Sequence, residues 1–316
     1  MPIIPYSLLN CAFYLYKDKA DALAGEDAGG TGFFLSLRTA DGLGHHYGVT
    51  NYHVAVKGGY SCVRINTVNG VEAFEFGPEE WLFEPGKDDI AVVQLDIRQQ
   101  GHIATFIGDN LLLHPPAAAE ERIGPGDDVF MVGRFVDLDA KQTNIPAVRF
   151  GNISTLPVPV VQPNGYTGLC YCVDMHSRTG YSGSPVFIYR TPGNTLEWAM
   201  TGGPVQLGGK SVLALLGIHC GQFPEELAIK RKNKKISKES ALSEKAYEEY
   251  IEGMSGMTCV IPAWRISDLL SREDLTEQRK KVEAMREKNS GATPARPDAE
   301  PSSAEPATPK RDVREI

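Results

Sequence analysis

The most informative part of the sequence is Gly180-Tyr181-Ser182-Gly183-Ser184-Pro185-Val186. A serine stands between two glycines, and a proline follows at the start of an apolar run. Such a turn can lift one hydroxyl out of the backbone. A hydroxyl near its ordinary pKa is a poor nucleophile, so a nucleophilic serine also needs a base and an orienting acid elsewhere in the chain. Taken alone, the string is more often an ordinary turn.

A candidate base and a candidate acid both precede this serine. His53 follows the run Val49-Thr50-Asn51-Tyr52, where an apolar strand enters a polar turn. Asp89 opens the apolar run Ile90-Ala91-Val92-Val93, where its carboxylate can be buried against the imidazole. Asp88 competes with Asp89 for the role of this acid. Either residue could instead be an ordinary exposed carboxylate in a loop. An α/β-hydrolase is disfavoured, because its elbow reads Gly-x-Ser-x-Gly and its histidine follows the serine.

Together these segments resemble the three signatures of the chymotrypsin-like serine proteases. The strand that ends in the family's histidine reads here Thr50-Asn51-Tyr52-His53, and the Asp-Ile-Ala-Leu strand reads Asp89-Ile90-Ala91-Val92. The Gly-Asp-Ser-Gly-Gly-Pro turn corresponds to residues 180–185. Each segment alone is weak evidence for this family, but the occurrence of all three in this order is specific to it. Gly30-Thr31-Gly32-Phe33 and the run 256–262 match two further strands of bacterial members.

The resemblance implies an all-β fold of two six-stranded antiparallel β-barrels with the catalytic cleft between them. It covers roughly residues 11–272. From residue 11 to about 220, short β-like runs separated by Gly, Pro, Asn and Asp are typical of a barrel or a sandwich. A Pro- and Gly-rich seam after Leu113 divides this region into a first barrel, 11–115, and a second barrel, 120–272. A charged, helix-prone insertion, 222–256, interrupts the second barrel.

The C-terminal part has a different composition. We expect a short helix after Pro262, a charged helix over residues 273–288 and a disordered tail over residues 289–316. The tail has no aromatic residue and is rich in proline, so it cannot bury enough surface to offset the entropy of ordering.

The resemblance also implies a role for individual residues. His53 is the expected general base, Asp89 the acid that orients it and Ser182 the nucleophile. The backbone N–H groups of Gly180 and Ser182 are the expected oxyanion hole. The implied activity is that of a serine endopeptidase, which hydrolyses peptide bonds through an acyl-enzyme without a metal ion or an organic cofactor. Tyr181 replaces the aspartate that trypsin-like zymogens pair with a newly cut N-terminus, so activation by that ion pair is not expected.

Substrate preference is predicted from Leu216-Gly217-Ile218-His219-Cys220-Gly221. This segment resembles the wall of the first specificity pocket in viral and glutamate-cleaving members, where the histidine hydrogen-bonds the side chain before the cut. The resemblance therefore implies a preference for Gln or Glu, with His219 and Gly221 at the pocket and His176 near its base. No aspartate stands there as in trypsin, so cleavage after Lys or Arg is not expected. The alternative for His219 is an ordinary histidine of the barrel wall.

The amino-acid composition of the chain argues against several classes of function. The chain has 316 residues, a formal charge of −8 and a pI near 5.5, which argues against general nucleic-acid binding. Six cysteines without paired spacings predict reduced thiols, and the N-terminus lacks the features of a signal peptide. No apolar run reaches the length of a membrane-spanning helix. We therefore expect a cytoplasmic protein that binds a polypeptide substrate and neither nucleic acid nor membrane.

Two other functions fit the same residues. One is a catalytically silent protease-fold module that binds a peptide or a partner protein. The other is a narrow processing enzyme, which cuts one partner held through the insertion 222–256 or the C-terminal tail. The basic run Lys230-Arg231-Lys232-Asn233-Lys234-Lys235 in the insertion is expected to be a solvated face. His45 and His46 precede a predicted strand and are expected to be solvated turn residues.

Overall fold

The computed structural model describes residues 3–39, 44–95, 97, 101–134, 141–177, 179–192, 195–197, 206–208, 210–228 and 250–290. The chain divides into a β-rich unit, Met1–Arg272, and a second unit, Glu273–Ile316. All described strands belong to the first unit. Within the described ranges, no helix is long and apolar enough to cross a membrane.

The first half of the β-rich unit is a sheet of eight strands. They are β1 Ala12–Tyr16, β2 Gly30–Leu37, β3 His45–Thr50, β4 Cys62–Thr67, β5 Gly70–Phe74, β6 Leu82–Phe83, β7 Ala91–Gln94 and β8 Ile107–Gly108. Seven of them are antiparallel neighbours in the order β5-β4-β1-β2-β3-β7-β6, and β8 pairs with β2 in parallel. Among the described residues this path has two ends and does not close into a ring. Its core includes Phe13, Phe34 and Trp81.

The second half is a closed six-stranded antiparallel barrel, as predicted. Its strands are β9 Asp128–Arg134, β10 Pro146–Val161, β11 Thr167–Asp174, β12 Pro185–Arg190, β15 Val212–Ala228 and β16 Tyr250–Pro262. The neighbours around the barrel are β10-β11-β16-β15-β12-β9. A separate pair, β13 Thr195–Glu197 and β14 Gln206–Gly208, lies between β12 and β15 in the chain. The barrel core includes Met131, Tyr181, Leu216 and Val260.

Five α-helices complete the described structure. They are α1 Tyr6–Leu9, α2 Lys19–Ala24, α3 Pro115–Glu120, α4 Ala263–Leu270 and α5 Glu273–Ser290. The helix α3 lies at the predicted seam between the two halves, and α4 is the short helix expected after Pro262. The helix α5 includes the charged helix predicted over residues 273–288 and extends it to Ser290. The remainder of the predicted tail, 291–316, lies outside the described residues.

The described ends of the predicted insertion 222–256 are strand and not helix. β15 continues to Ala228, β16 begins at Tyr250, and these extensions pair with each other. Pairing with a neighbouring strand has overridden the helical preference of the charged residues. The helix start predicted at Ser237 and the basic run 230–235 lie outside the described residues.

The expectation that His45 and His46 are solvated turn residues is wrong. Both lie in β3, where His45 is 2% exposed and the ring of His46 packs against that of Phe106 with centroids 4.2 Å apart. The strand begins earlier than its apolar residues suggest, because β2 pairs with it as far as the Leu37–His45 partners.

Candidate active site

Strand pairing brings the candidate base and acid together. β3 ends at Thr50 and β7 begins at Ala91, and these two residues are partners in the antiparallel ladder. His53 lies in the helical turn His53–Lys57 that follows β3, and Asp89 lies just before β7. Nδ1 of His53 is 2.5 Å from Oδ2 of Asp89, and the backbone N–H of His53 donates to Oδ1 at 2.8 Å.

Asp89 is held at its backbone as well as at its carboxylate. The side chain is fully buried, whereas that of His53 is 22% exposed. The Asn51 amide donates to the Asp89 carbonyl at 2.8 Å, and the Asp89 N–H donates to Oε1 of Gln162 at 2.6 Å. A carboxylate fixed in this way can orient an imidazole and stabilise the imidazolium that forms when it takes a proton.

The structure separates the two competing acids. Asp89 contacts His53, whereas Asp88 accepts from Nε2 of Gln162 at 2.8 Å and from Nε of Arg265 at 2.6 Å. Because both oxygens of Asp88 have these other partners, Asp89 is the carboxylate that meets the base.

The serine turn belongs to the second half but is held by β2 of the first half. The Thr31 N–H donates to the Ser182 carbonyl at 2.9 Å, and Oγ1 of Thr31 donates to the Gly180 carbonyl at 2.7 Å. Gly183 has a φ of +86°, and a Cβ there would lie 2.0 Å from the Thr31 carbonyl oxygen. Glycine is therefore required at position 183 by both conformation and space.

Ser182 and His53 line one cavity of about 320 Å³. The other residues that line it are Gly29, Val54, Tyr60, Ser177, Thr179, Gly180, His219, Gly221 and Gln222. Both side chains are described, and no hydrogen bond joins Oγ of Ser182 to His53. In unliganded enzymes such catalytic contacts are often long and tighten when substrate binds.

Two backbone N–H groups of the serine turn are available to a ligand. Gly180 and Ser182 both line the cavity, and their N–H groups have no protein acceptor in the described part of the chain. The next two N–H groups along the turn donate instead to the carbonyls of His219 and Tyr181, at 2.9 and 3.0 Å. Free N–H groups beside a nucleophile are the usual means of stabilising an oxyanion.

Tyr181 anchors the serine turn in the second barrel. Its ring is fully buried in the barrel core, and Nε of Arg149 donates to its hydroxyl at 3.3 Å. The Arg149 guanidinium also lies 5.6 Å from the ring centroid. Burial of an aromatic side chain contributes roughly 1.5–3 kcal/mol. A buried ring therefore supports the turn at the position where trypsin-like zymogens have an aspartate.

A buried polar cluster forms another part of the cavity wall. Nε2 of His219 lies 2.9 Å from Oγ of Ser177, and Nε2 of Gln222 donates to the same hydroxyl. His219 is only 2% exposed. The pKa of His219 is lowered to about 4, mainly by burial and in part by the charge of His53, while a hydrogen bond to the Tyr181 backbone opposes these effects. The imidazole of His219 is therefore neutral at pH 7.

The structure brings His219 and Gly221 to the cavity but leaves His176 outside its lining. The His176 side chain is exposed, and a Cβ on Gly256 would lie 3.1 Å from its Cε1. Its neighbour Ser177 faces His219 instead. Residues 175–177 form neither strand nor helix, so no alternation in the sequence shows which side chain points inward.

A second cavity, of about 430 Å³, involves Tyr52, the residue before His53. It is lined by Tyr52, Phe83, Glu84, Pro85, Gly86, Asn164, Gly165 and Tyr166. The rings of Tyr52 and Phe83 lie 4.7 Å apart, so much of this wall is aromatic. Among the described residues, no cluster of His, Cys, Asp and Glu side chains can hold a metal ion.

Comparison with known proteins finds likeness only among solved structures. No family model and no curated protein matches the chain. The MamO protease domain of Magnetospirillum magneticum, in its apo form, is 13% identical over 84% of this chain and 99% of its own, with a TM-score of 0.44. Rv3671c of M. tuberculosis H37Rv, a serine-to-alanine mutant in an inactive form, is 14% identical over 86% and 95%, with a TM-score of 0.39. The all-β architecture and the closed six-stranded second barrel are those that the sequence resemblance implies, whereas the first half has eight described strands where six were expected.

Proposed function

We propose that the chain is a serine endopeptidase that uses His53, Asp89 and Ser182 as its catalytic triad. The observation that carries the proposal is the contact of 2.5 Å between the buried Asp89 carboxylate and Nδ1 of His53, at a cavity that Ser182 also lines. With Nδ1 engaged by the acid, Nε2 of His53 is left to exchange a proton with the serine.

Each group has a defined role in the proposed reaction. Oγ of Ser182 attacks the peptide carbonyl while Nε2 of His53 takes its proton, and Asp89 stabilises the imidazolium that results. The N–H groups of Gly180 and Ser182 donate to the oxyanion of the tetrahedral intermediate. His53 then gives its proton to the leaving amine, and water, activated by the same imidazole, hydrolyses the acyl-enzyme.

We further propose that the side chain before the cut is Gln in preference to Glu. The polar wall of the cavity consists of the neutral imidazole of His219, the Ser177 hydroxyl and the Gln222 amide. These groups can exchange hydrogen bonds with an uncharged amide. They carry no positive charge to compensate a carboxylate, whose burial without a counter-ion is costly.

The aromatic cavity at Tyr52 supports a polypeptide substrate. It has room for a side chain, and it lies next to the base in the chain. Apolar and aromatic walls with a few polar groups are typical of ligand sites. A peptide that reaches both cavities should therefore be cut faster than an ester of a single amino acid.

A catalytically silent binding module is the second candidate, and one observation favours it. The hydroxyl of Ser182, the proposed nucleophile, makes no hydrogen bond to His53 in the described structure. If Ser182 and His53 still form no hydrogen bond when a ligand occupies the cavity, the same groups would bind a peptide without cutting it. A narrow processing enzyme would give an intermediate result, because it would react with small probes yet ignore general substrates.

Labelling with a fluorophosphonate probe separates these candidates. We expect the native chain to be modified at Ser182, and we expect Ser182→Ala and His53→Ala to lose the modification. Ser271→Ala is the matched control, since Ser271 is exposed and outside the cavity. Mass spectrometry of the modified peptide identifies the labelled residue.

The outcomes of this experiment are distinct. A folded native chain that remains unlabelled would contradict the endopeptidase and favour the silent module. Labelling at Ser182 without cleavage of general peptides would favour the narrow processing enzyme. For a chain that does cleave, peptides differing only in Gln or Glu before the cut test the preference, and equal rates would refute it.

A further inference from the structure

The backbone of the catalytic acid is held by a side chain from the other half of the unit. Gln162 follows the last residue of β10 in the second barrel, whereas Asp89 belongs to the first half. Oε1 of Gln162 accepts the Asp89 N–H at 2.6 Å, and the Gln162 side chain is buried. The position of the acid therefore depends on a contact across the two halves.

The orientation of this amide is set by a second contact. Nε2 of Gln162 donates to Oδ1 of Asp88 at 2.8 Å, and Oδ2 of Asp88 accepts from Nε of Arg265 at 2.6 Å. An amide turned the other way would place its NH₂ group against the Asp89 N–H and its carbonyl against a carboxylate. Arg265 in α4 and Asp88 thus fix which end of the Gln162 amide faces Asp89.

These groups are tightly packed on the side of β11. A Cβ on Gly168 of β11 would lie 2.4 Å from Oδ1 of Asp88 and 2.4 Å from Nε2 of Gln162. Gln162 and Asp88 are 2% and 8% exposed, so little water competes for their hydrogen bonds. A buried polar network in which each member is bonded is rigid, and the loss of one partner leaves a costly unpaired group.

We infer that Gln162, oriented by Asp88 and Arg265, is a positioning residue for Asp89. This inference rests on the proposed function, because it gives the three residues a role in keeping the acid aligned with His53. It also accounts for Asp88, the neighbour that competes with Asp89 in the sequence. Asp88 acts through Gln162 and touches neither the base nor the cavity that Ser182 lines.

The test measures two properties of each purified full-length protein. One is the rate of fluorophosphonate labelling at Ser182. The other is the far-downfield proton NMR signal of the hydrogen shared by His53 and Asp89, observed at acidic pH. Gln162→Leu has similar volume but lacks the hydrogen bonds of the amide with Asp89 and Asp88 and its weaker one with Sγ of Cys170. We expect labelling to slow by about 10-fold to 100-fold, because small misplacements of catalytic groups have effects of that size, and we expect the signal to shift or broaden.

Two arginines of the same region provide a matched comparison. Arg265→Ala should slow labelling and shift the signal in the same direction as Gln162→Leu, but less. Arg272→Ala should change neither property, since Arg272 donates to the carbonyl of Phe83. Both arginines line one cavity with Asp88, so removal of a positive charge from that region is common to the two variants.

A second substitution covers the case in which Gln162→Leu does not fold. Asp88→Asn has nearly the same shape, but it offers one oxygen and one NH₂ group to two donors, so one contact becomes repulsive. A folded Gln162→Leu or Asp88→Asn protein with the native signal and the native labelling rate would overturn the inference. If the native chain itself is not labelled, the proposed function fails, and the NMR comparison still decides whether Gln162 positions Asp89.

Discussion

The side chain of His219 illustrates how burial decides the chemistry of a single residue. It is 2% exposed and close to His53, and both effects disfavour its charged form. Its pKa falls from the ordinary 6.5 to about 4. Between these two values the unfolded chain binds a proton at this residue and the folded chain does not. Folding stability therefore falls as the pH is lowered through this window.

We predict that replacement of His219 by Gln removes part of the acid sensitivity of the fold. From pH 7 to pH 4 the residue should account for a loss of roughly 3 kcal/mol in the free energy of unfolding, because each pKa unit corresponds to about 1.36 kcal/mol. Urea unfolding at pH 7 and at pH 4 measures the difference. His114→Gln is the control, since His114 is exposed. Equal losses in the native chain and in His219→Gln would contradict the prediction.

The strand β2 is the element that joins the serine turn to the rest of the site. Thr31 is fully buried, and its Oγ1 donates to the Gly180 carbonyl and accepts from the Arg134 N–H at 3.0 Å. Its carbonyl accepts from Oγ1 of Thr50 at 2.7 Å, at the end of β3 that leads to the base. One residue of one strand thus contacts the turn of the proposed nucleophile and the strand that leads to the proposed base.

We predict that Thr31→Val disturbs the serine turn although the shape of the side chain hardly changes. Loss of the hydroxyl leaves the Gly180 carbonyl and the Arg134 N–H without this partner, which should cost about 1–3 kcal/mol. Labelling at Ser182 should slow by about tenfold or more, because the turn is then less well placed. Thr31→Ser keeps the hydroxyl and should keep most of the rate. Thermal unfolding and labelling kinetics measure the two effects, and a native labelling rate in Thr31→Val would refute the prediction.

At the scale of the whole molecule, the cysteines are spread through both halves and none is paired. All six are buried free thiols: Cys11, Cys62, Cys170, Cys172, Cys220 and Cys259. Burial raises the pKa of Cys62 to about 12 and raises those of Cys11 and Cys172. Because the thiolate is the reactive form, thiols with a raised pKa should be inert while the chain is folded. A hydrogen bond with Cys220 lowers the pKa of Cys259, but that thiol too is buried and out of reach of a reagent.

We predict that a thiol reagent such as 5,5′-dithiobis(2-nitrobenzoic acid) does not modify the folded chain within minutes at pH 8. In denaturant without reductant, all six thiols counted in the sequence should react. The released chromophore gives the number directly. Rapid reaction of a thiol in the folded chain would contradict the conclusion that all six cysteine side chains are buried. Fewer than six in denaturant would indicate a disulfide and contradict the expectation of reduced thiols.

Local patterns in the sequence were sufficient to predict several of the strands and the three main candidates for the site. His53, Asp89 and Ser182 each lie beside an apolar strand, and this arrangement is visible within a few residues of each. The strand ladder then brings the first two together, since Thr50 and Ala91 are partners. The charged ends of the insertion were predicted less well, because pairing of β15 with β16 overrides local preference there.

Only the tertiary structure decided which other residues belong to the site. Gln162, Ser177 and Thr31 make their contacts with partners that are 73, 42 and 149 residues away in the chain, and local sequence does not indicate such pairings. The choice between Asp88 and Asp89 likewise follows from which partners reach each carboxylate. A nucleophile motif is local because its backbone conformation depends on adjacent residues. The groups that orient the nucleophile need not be close to it in the sequence, because a hydrogen bond requires only that two groups meet in space.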